Sequence, residues 1–115
     1  MEVYIITPFP GSIKTLIDNN IANQGLKKGH LSIEIVNLRD FTTDNYKKID
    51  DEPYGGGSGM VMMCEPLFSA IEYCISKSEK KPKIIFPSPK GKVLNHSLSS
   101  NLSTESSLIF ICGHY

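Results

Sequence analysis

Four short apolar runs limit what this chain can become. Val3-Tyr4-Ile5-Ile6-Thr7, Leu31-Ser32-Ile33-Glu34-Ile35-Val36-Asn37-Leu38, Lys83-Ile84-Ile85-Phe86 and Leu108-Ile109-Phe110-Ile111-Cys112 are too short for helices and rich in β-branched side chains. The first is apolar at successive positions, so a strand there needs cover on both faces. The second alternates. Helical patterns fill the gaps between the runs. Ser12 is expected to cap a helix bearing Ile13, Leu16, Ile17 and Ile21, with Gly25 and Gly29 bracketing its end and Lys27 and Lys28 as favourable terminal charge. Pro66 stands at the start of another, whose stripe is Leu67, Ala70, Ile71, Cys74 and Ile75. Val93, Leu94, Leu98 and Leu102 outline a weaker third helix. Strands alternating with helices predict an α/β fold: a parallel sheet with flanking helices and right-handed crossovers.

The totals agree with one domain. The 115 residues suit a single core, and 40% of them are hydrophobic. Twelve basic and 12 acidic residues cancel, so no global field draws the chain to nucleic acid or membrane, and any RNA contact must be local. The lysines of Lys77-Ser78-Glu79-Lys80-Lys81-Pro82-Lys83 read as a solvated helix end. Cys64, Cys74 and Cys112 show no C-x-x-C spacing, which argues against a disulfide framework or zinc site and for a reducing cytoplasm. No run approaches the roughly 20 apolar residues that span a bilayer. A cytoplasmic protein without a membrane segment is expected.

Ligands of open parallel sheets sit off the carboxyl ends of the strands. Two of those ends, Pro87-Ser88-Pro89-Lys90-Gly91 and Gly113-His114-Tyr115, combine proline, glycine and small polar residues, which suggests a pocket for an adenosine-like ligand. A third feature is Asp50-Asp51-Glu52-Pro53-Tyr54-Gly55-Gly56-Gly57-Ser58-Gly59-Met60-Val61-Met62-Met63. Glycines are entropically costly to order and leave bare amides facing outward. Because this run leads straight into an apolar anchor, it reads as a shaped binding loop. It lacks the Gly-Lys-Ser/Thr of a P-loop and the Gly-x-Gly-x-x-Gly of a dinucleotide site. Asp50 and Asp51 are adjacent and point apart, so at most one faces a ligand. His30, His96 and His114 show no metal-ligand spacing, and neither Ser88 nor Ser58 has a nearby histidine in sequence as a hydrolase pair would suggest.

Taken together, Ile6-Thr7-Pro8-Phe9-Pro10, Leu38-Arg39-Asp40-Phe41-Thr42, the Asp50–Met62 run, Ser88-Pro89-Lys90-Gly91 and Ile111-Cys112-Gly113-His114-Tyr115 resemble the bacterial tRNA (guanine-N1)-methyltransferase family, in its order and spacing. The Asp-Asp-x-Pro-Tyr-Gly-Gly-Gly-x-Gly-Met run is the specific part. The resemblance implies the N-terminal part of a knotted, SPOUT-class methyltransferase fold over residues 1–115, with S-adenosylmethionine as donor, tRNA as acceptor and a homodimer with sites between subunits. It implies donor contacts at Pro87, Ser88, Pro89, Gly91, Gly113 and Tyr115, and RNA-side contacts at Asp50, Tyr54, Gly55 and Gly59. It implies no metal site and no catalytic residue within the chain, since the aspartate thought to act as base would come later than Tyr115.

Departures from the family pattern are His114 for Arg, Lys90 for Gln and Ser58 for Pro. The chain also ends directly off a strand, where the family continues through further donor loops, a linker and a helical tRNA-gripping domain. An N-terminal fragment, inactive by itself, is therefore the expectation. The alternative is a non-catalytic nucleotide- or RNA-binding module derived from the same family.

Overall fold

In chain order the elements are β1 (Glu2–Thr7), α1 (Pro10–Asp18), α2 (Ile21–Lys27), β2 (Ser32–Asn37), a 3-10 turn (Leu38–Phe41), β3 (Asp50–Asp51), β4 (Val61–Met62), α3 (Cys64–Lys77), β5 (Lys83–Ile85), α4 (His96–Ser103) and β6 (Ser107–Ile111). The structure is a computed structural model and describes residues 1–18, 21–42, 50–51, 61–62, 64–88 and 91–112. β2, β1, β6 and β5 form, in that order, a four-stranded sheet in which every pairing is parallel. The α/β expectation is met. β3 and β4 form a separate antiparallel pair, which the sequence patterns did not reveal.

Strand periodicity sorts the side chains onto two faces. Tyr4 lies in register with Glu34 and Ile109, and Ile6 with Val36 and Ile111. Tyr4, Ile6, Val36, Ile109 and Ile111, with Leu38, Ala70 and Cys74, make the core cluster beneath α3. Ile6, Leu38, Ile109 and Cys74 are fully buried, and each larger aliphatic side chain there stabilises by about 1.5–3 kcal/mol. The opposite face carries Val3, Thr7 and Leu108, also buried, with Ile5, Ile33, Ile35 and Phe110 half-buried. That is why β1 reads apolar at successive positions: both of its faces are covered.

α3 is fixed in register by polar contacts as well as by its apolar stripe. The Tyr73 hydroxyl donates to Glu34 Oε2 at 2.6 Å, Lys77 Nζ donates to Glu34 Oε1 at 2.8 Å, and Lys77 Nζ to the Tyr73 hydroxyl at 3.1 Å. Burial pushes the Glu34 carboxyl up, but the hydrogen bonds from Lys77 and Tyr73 outweigh it and hold the group below its ordinary value. Tyr73 also meets Phe41 of the 3-10 turn, with ring centroids 5.5 Å apart and tilted. Burial, reinforced by the Glu34 charge, pushes the Cys74 thiol up to about 11, so it is a neutral core residue.

Several boundaries differ from expectation. The first helix begins at Pro10, two residues ahead of Ser12, because proline's fixed φ and absent N–H suit a first helical position. Gly25 is interior to α2, and Gly29, at φ 76°, follows that helix's end. α3 starts at Cys64, two residues before Pro66, and Ile75 is exposed instead of joining the stripe. Val93 and Leu94 precede α4, which Asn95 caps by accepting from the Leu98 amide, and both are exposed. β5 lies at the sheet edge and leaves Ile84 exposed.

Candidate functional site

Because all four strands run the same way, their carboxyl ends share one edge, and the tips follow the order β2, β1, β6, β5. β5 and β6 are neighbours up to the pair Ile85 and Phe110. Past Ile85, Phe86, Pro87 and Ser88 run outward and are exposed. The Gly91 amide donates to the Ser88 carbonyl at 3.1 Å, turning the segment back on itself. A methyl group added at Gly91 would meet only that Ser88 carbonyl oxygen, at 3.4 Å, and Gly91 does not occupy the left-handed region. The fold therefore does not demand glycine there. The absent side chain leaves open surface at the strand tip instead.

β6 stays tied to β1 beyond its last strand residue, since the Cys112 amide donates to the Ile6 carbonyl at 2.9 Å. Cys112 is thus held at the carboxyl edge of the sheet, one strand away from β5. Of the six donor-side candidates, Pro87, Ser88 and Gly91 are brought together at this edge, while Pro89, Gly113 and Tyr115 lie outside the described residues. On the RNA side, Asp50 pairs with Met62 and Asp51 with Val61, closing the base of the glycine loop. Tyr54, Gly55 and Gly59 lie outside the described residues. In chain order the pairing falls between the 3-10 turn and the start of α3.

Exposed main chain, a hydroxyl side chain and a bare glycine suit a ligand that is recognised by backbone hydrogen bonds and needs close approach, as a nucleoside does. Among the described residues no group of three or more His, Cys, Asp or Glu is placed to hold a metal ion, and no helix is long and apolar enough to cross a membrane. The lysine run sits at the opposite edge, where β5 begins. There Lys77 is taken up by Glu34, and Lys80, Lys81 and Lys83 are exposed.

Sequence reading missed two residues at the tips of β1 and β2. The Arg39 guanidinium carbon stands 5.7 Å from the centroid of the Phe9 ring, and Arg39 Nε donates to the Pro8 carbonyl at 3.4 Å. A phenylalanine held between two prolines directly after a strand was the available signal.

The chain matches a family model described as tRNA (Guanine-1)-methyltransferase TrmD over residues 1–115. It is 41% identical to the tRNA (guanine-N(1)-)-methyltransferase of Ruminiclostridium cellulolyticum, over all of this chain and 49% of that protein. It is 44% identical to the protein of that name from Clostridium botulinum (strain Kyoto / Type A2), covering 47% of it, and 45% identical to that of Aliivibrio fischeri (strain MJ11), covering 46%. The crystal structure of tRNA (m1G37) methyltransferase from Aquifex aeolicus superimposes with a TM-score of 0.87 at 33% identity, over 98% of this chain and 50% of that one. The chain spans about half the length of the curated relatives it matches.

Proposed function

The chain belongs to the tRNA (guanine-1)-methyltransferase family, and from that premise we propose that it forms the donor-binding half of an enzyme methylating N1 of the guanine 3′ of the tRNA anticodon. The observation that carries this reading is the exposed tip of β5, with Pro87, Ser88 and Gly91 set beside the tip of β6. S-adenosylmethionine, when bound, supplies an electrophilic methyl group on a positively charged sulfur. Transfer to guanine N1 would need a carboxylate base to take the N1 proton, and the methyl donor would depart as a neutral thioether.

This chain's own part is positioning, the kind of contribution that turns a bimolecular encounter into an aligned one. Gly91 leaves room at the strand tip, and Pro87 stiffens the exit from β5. Pro89, Gly113 and Tyr115 are proposed to complete the donor side. Asp50, Tyr54, Gly55 and Gly59 are proposed to face the RNA. The base is proposed to lie outside these 115 residues, so the chain alone would transfer no methyl group. We further propose a cytoplasmic homodimer, to which the exposed Phe68 and Ile75 on the outer side of α3 offer apolar surface.

The test is calorimetry on the longest open reading frame that contains these residues, titrated separately with S-adenosylmethionine, ATP and NAD, followed by methyl transfer to a tRNA transcript. Binding of the methyl donor alone, with transfer to the guanine after the anticodon, is expected. Preference for ATP or NAD would overturn the assignment. Donor and tRNA binding without transfer would favour the non-catalytic RNA-binding reading.

A further inference from the structure

The carboxyl edge of the sheet has two halves. The tips of β6 and β5 form the proposed donor side, and the tips of β1 and β2 hold Phe9 and Arg39. Neither residue is merely draped over the surface. The Phe9 amide donates to Thr7 Oγ1 at 3.0 Å, and Thr7 is buried, so the backbone carrying the ring is fixed. The Arg39 amide donates to Asn37 Oδ1 at 3.0 Å, which caps the 3-10 turn and fixes the backbone that carries the guanidinium. From there Arg39 reaches across to the Pro8 carbonyl and stands over the Phe9 ring. Phe9 as a residue nevertheless remains 43% exposed.

A locked but exposed aromatic ring, paired with a guanidinium, matches what proteins use to hold unpaired RNA bases. Such bases are splayed out and stacked on aromatic side chains or on arginine planes. The β1 tip is one strand spacing from β6 and two from β5, about 5 and 10 Å in the hydrogen-bonding direction. A nucleotide adjoining one whose base sits at the donor would come within reach of it. The exposed lysines Lys80, Lys81 and Lys83 are at the far edge and lack this placement.

We propose that Phe9, held by Arg39, is a stacking platform for an unpaired base of the RNA acceptor next to the nucleotide that is methylated. This rests on the methyltransferase reading above. Phe9 is the contacting residue, and Arg39 acts as a positioning residue through it.

The experiment uses the longest open reading frame containing these residues and an anticodon stem-loop with 2-aminopurine beside the target guanine. Donor affinity is measured by calorimetry with S-adenosylmethionine, and RNA affinity and stacking by the fluorescence of the reporter base. The unaltered protein should quench the reporter. Phe9→Leu should weaken RNA binding about tenfold and restore the fluorescence, with donor affinity unchanged. Phe9→Trp should recover both binding and quenching, and Arg39→Gln should weaken RNA binding by a smaller factor. Unchanged RNA affinity and quenching in Phe9→Leu would overturn the proposal. So would a parallel fall in donor affinity, which would make the pair a structural tether only. An unaltered protein that binds the donor but no RNA would overturn it as well. Failure to bind the donor would bring down the methyltransferase reading, and this inference with it.

Discussion

At the scale of single residues, two positions separate what the fold needs from what a ligand needs. Gly91 has an ordinary backbone conformation and space for a methyl group. Gly91→Ala should therefore change stability by no more than about 0.5 kcal/mol, by chemical denaturation. The same substitution should weaken S-adenosylmethionine binding in calorimetry, because the methyl would occupy the surface the donor approaches. Loss of stability without loss of binding would mean that Gly91 serves the turn and not a ligand. Ser107 poses the opposite case. Its hydroxyl is buried at the start of β6 and has no hydrogen-bond partner among the described residues. A buried polar group left unpaired is a net destabilisation. Ser107→Ala should raise stability by about 1 kcal/mol in urea unfolding, and a lower unfolding midpoint would show that the hydroxyl has a partner.

At the scale of elements, the link between α3 and β2 has a pH signature. The folded state holds the Glu34 carboxyl below its ordinary value of 4.5. A carboxylate depressed in this way stabilises the fold above the ordinary value, and that stability disappears as pH falls through the folded one. The unfolding midpoints of the natural protein and Glu34→Gln should thus differ at pH 7 and converge well below 4.5. Equal midpoints at pH 7 would indicate that water screens the contacts of this half-exposed group completely. The elements also show how far the sequence could be read. Short β-branched runs found all four strands of the main sheet, since such runs fit a pleated, covered surface whatever their neighbours. The α3 stripe was legible for the same local reason. The pair β3–β4 was hidden, being two residues on each side of a glycine run. At the site, Pro87, Ser88 and Gly91 were legible from turn chemistry at a strand end. Phe9 and Arg39 were not, because their meeting depends on β1 lying beside β2.

At the scale of the whole molecule, strand order matters more than strand identity. Local patterns cannot give the order β2, β1, β6, β5, since it is fixed by pairings between residues far apart in the chain. The first strand lies in the interior of the sheet, and its partner on one side is distant in sequence: Ile5 pairs with Phe110. Half of the hydrogen bonding available to β1 must therefore wait until Ser107–Ile111 have been made. Ribosomal synthesis proceeds from the first residue at roughly 5–20 residues per second, so β1 emerges seconds before the strand that completes it. Closing so long a loop is entropically slow, and the sheet should form late and all at once. A chain cut before Ser107 should show no cooperative thermal transition, whereas the 115-residue chain should. Until β6 arrives, one side of β1 is an open template, and the emerging polypeptide must be sheltered for the whole of that interval.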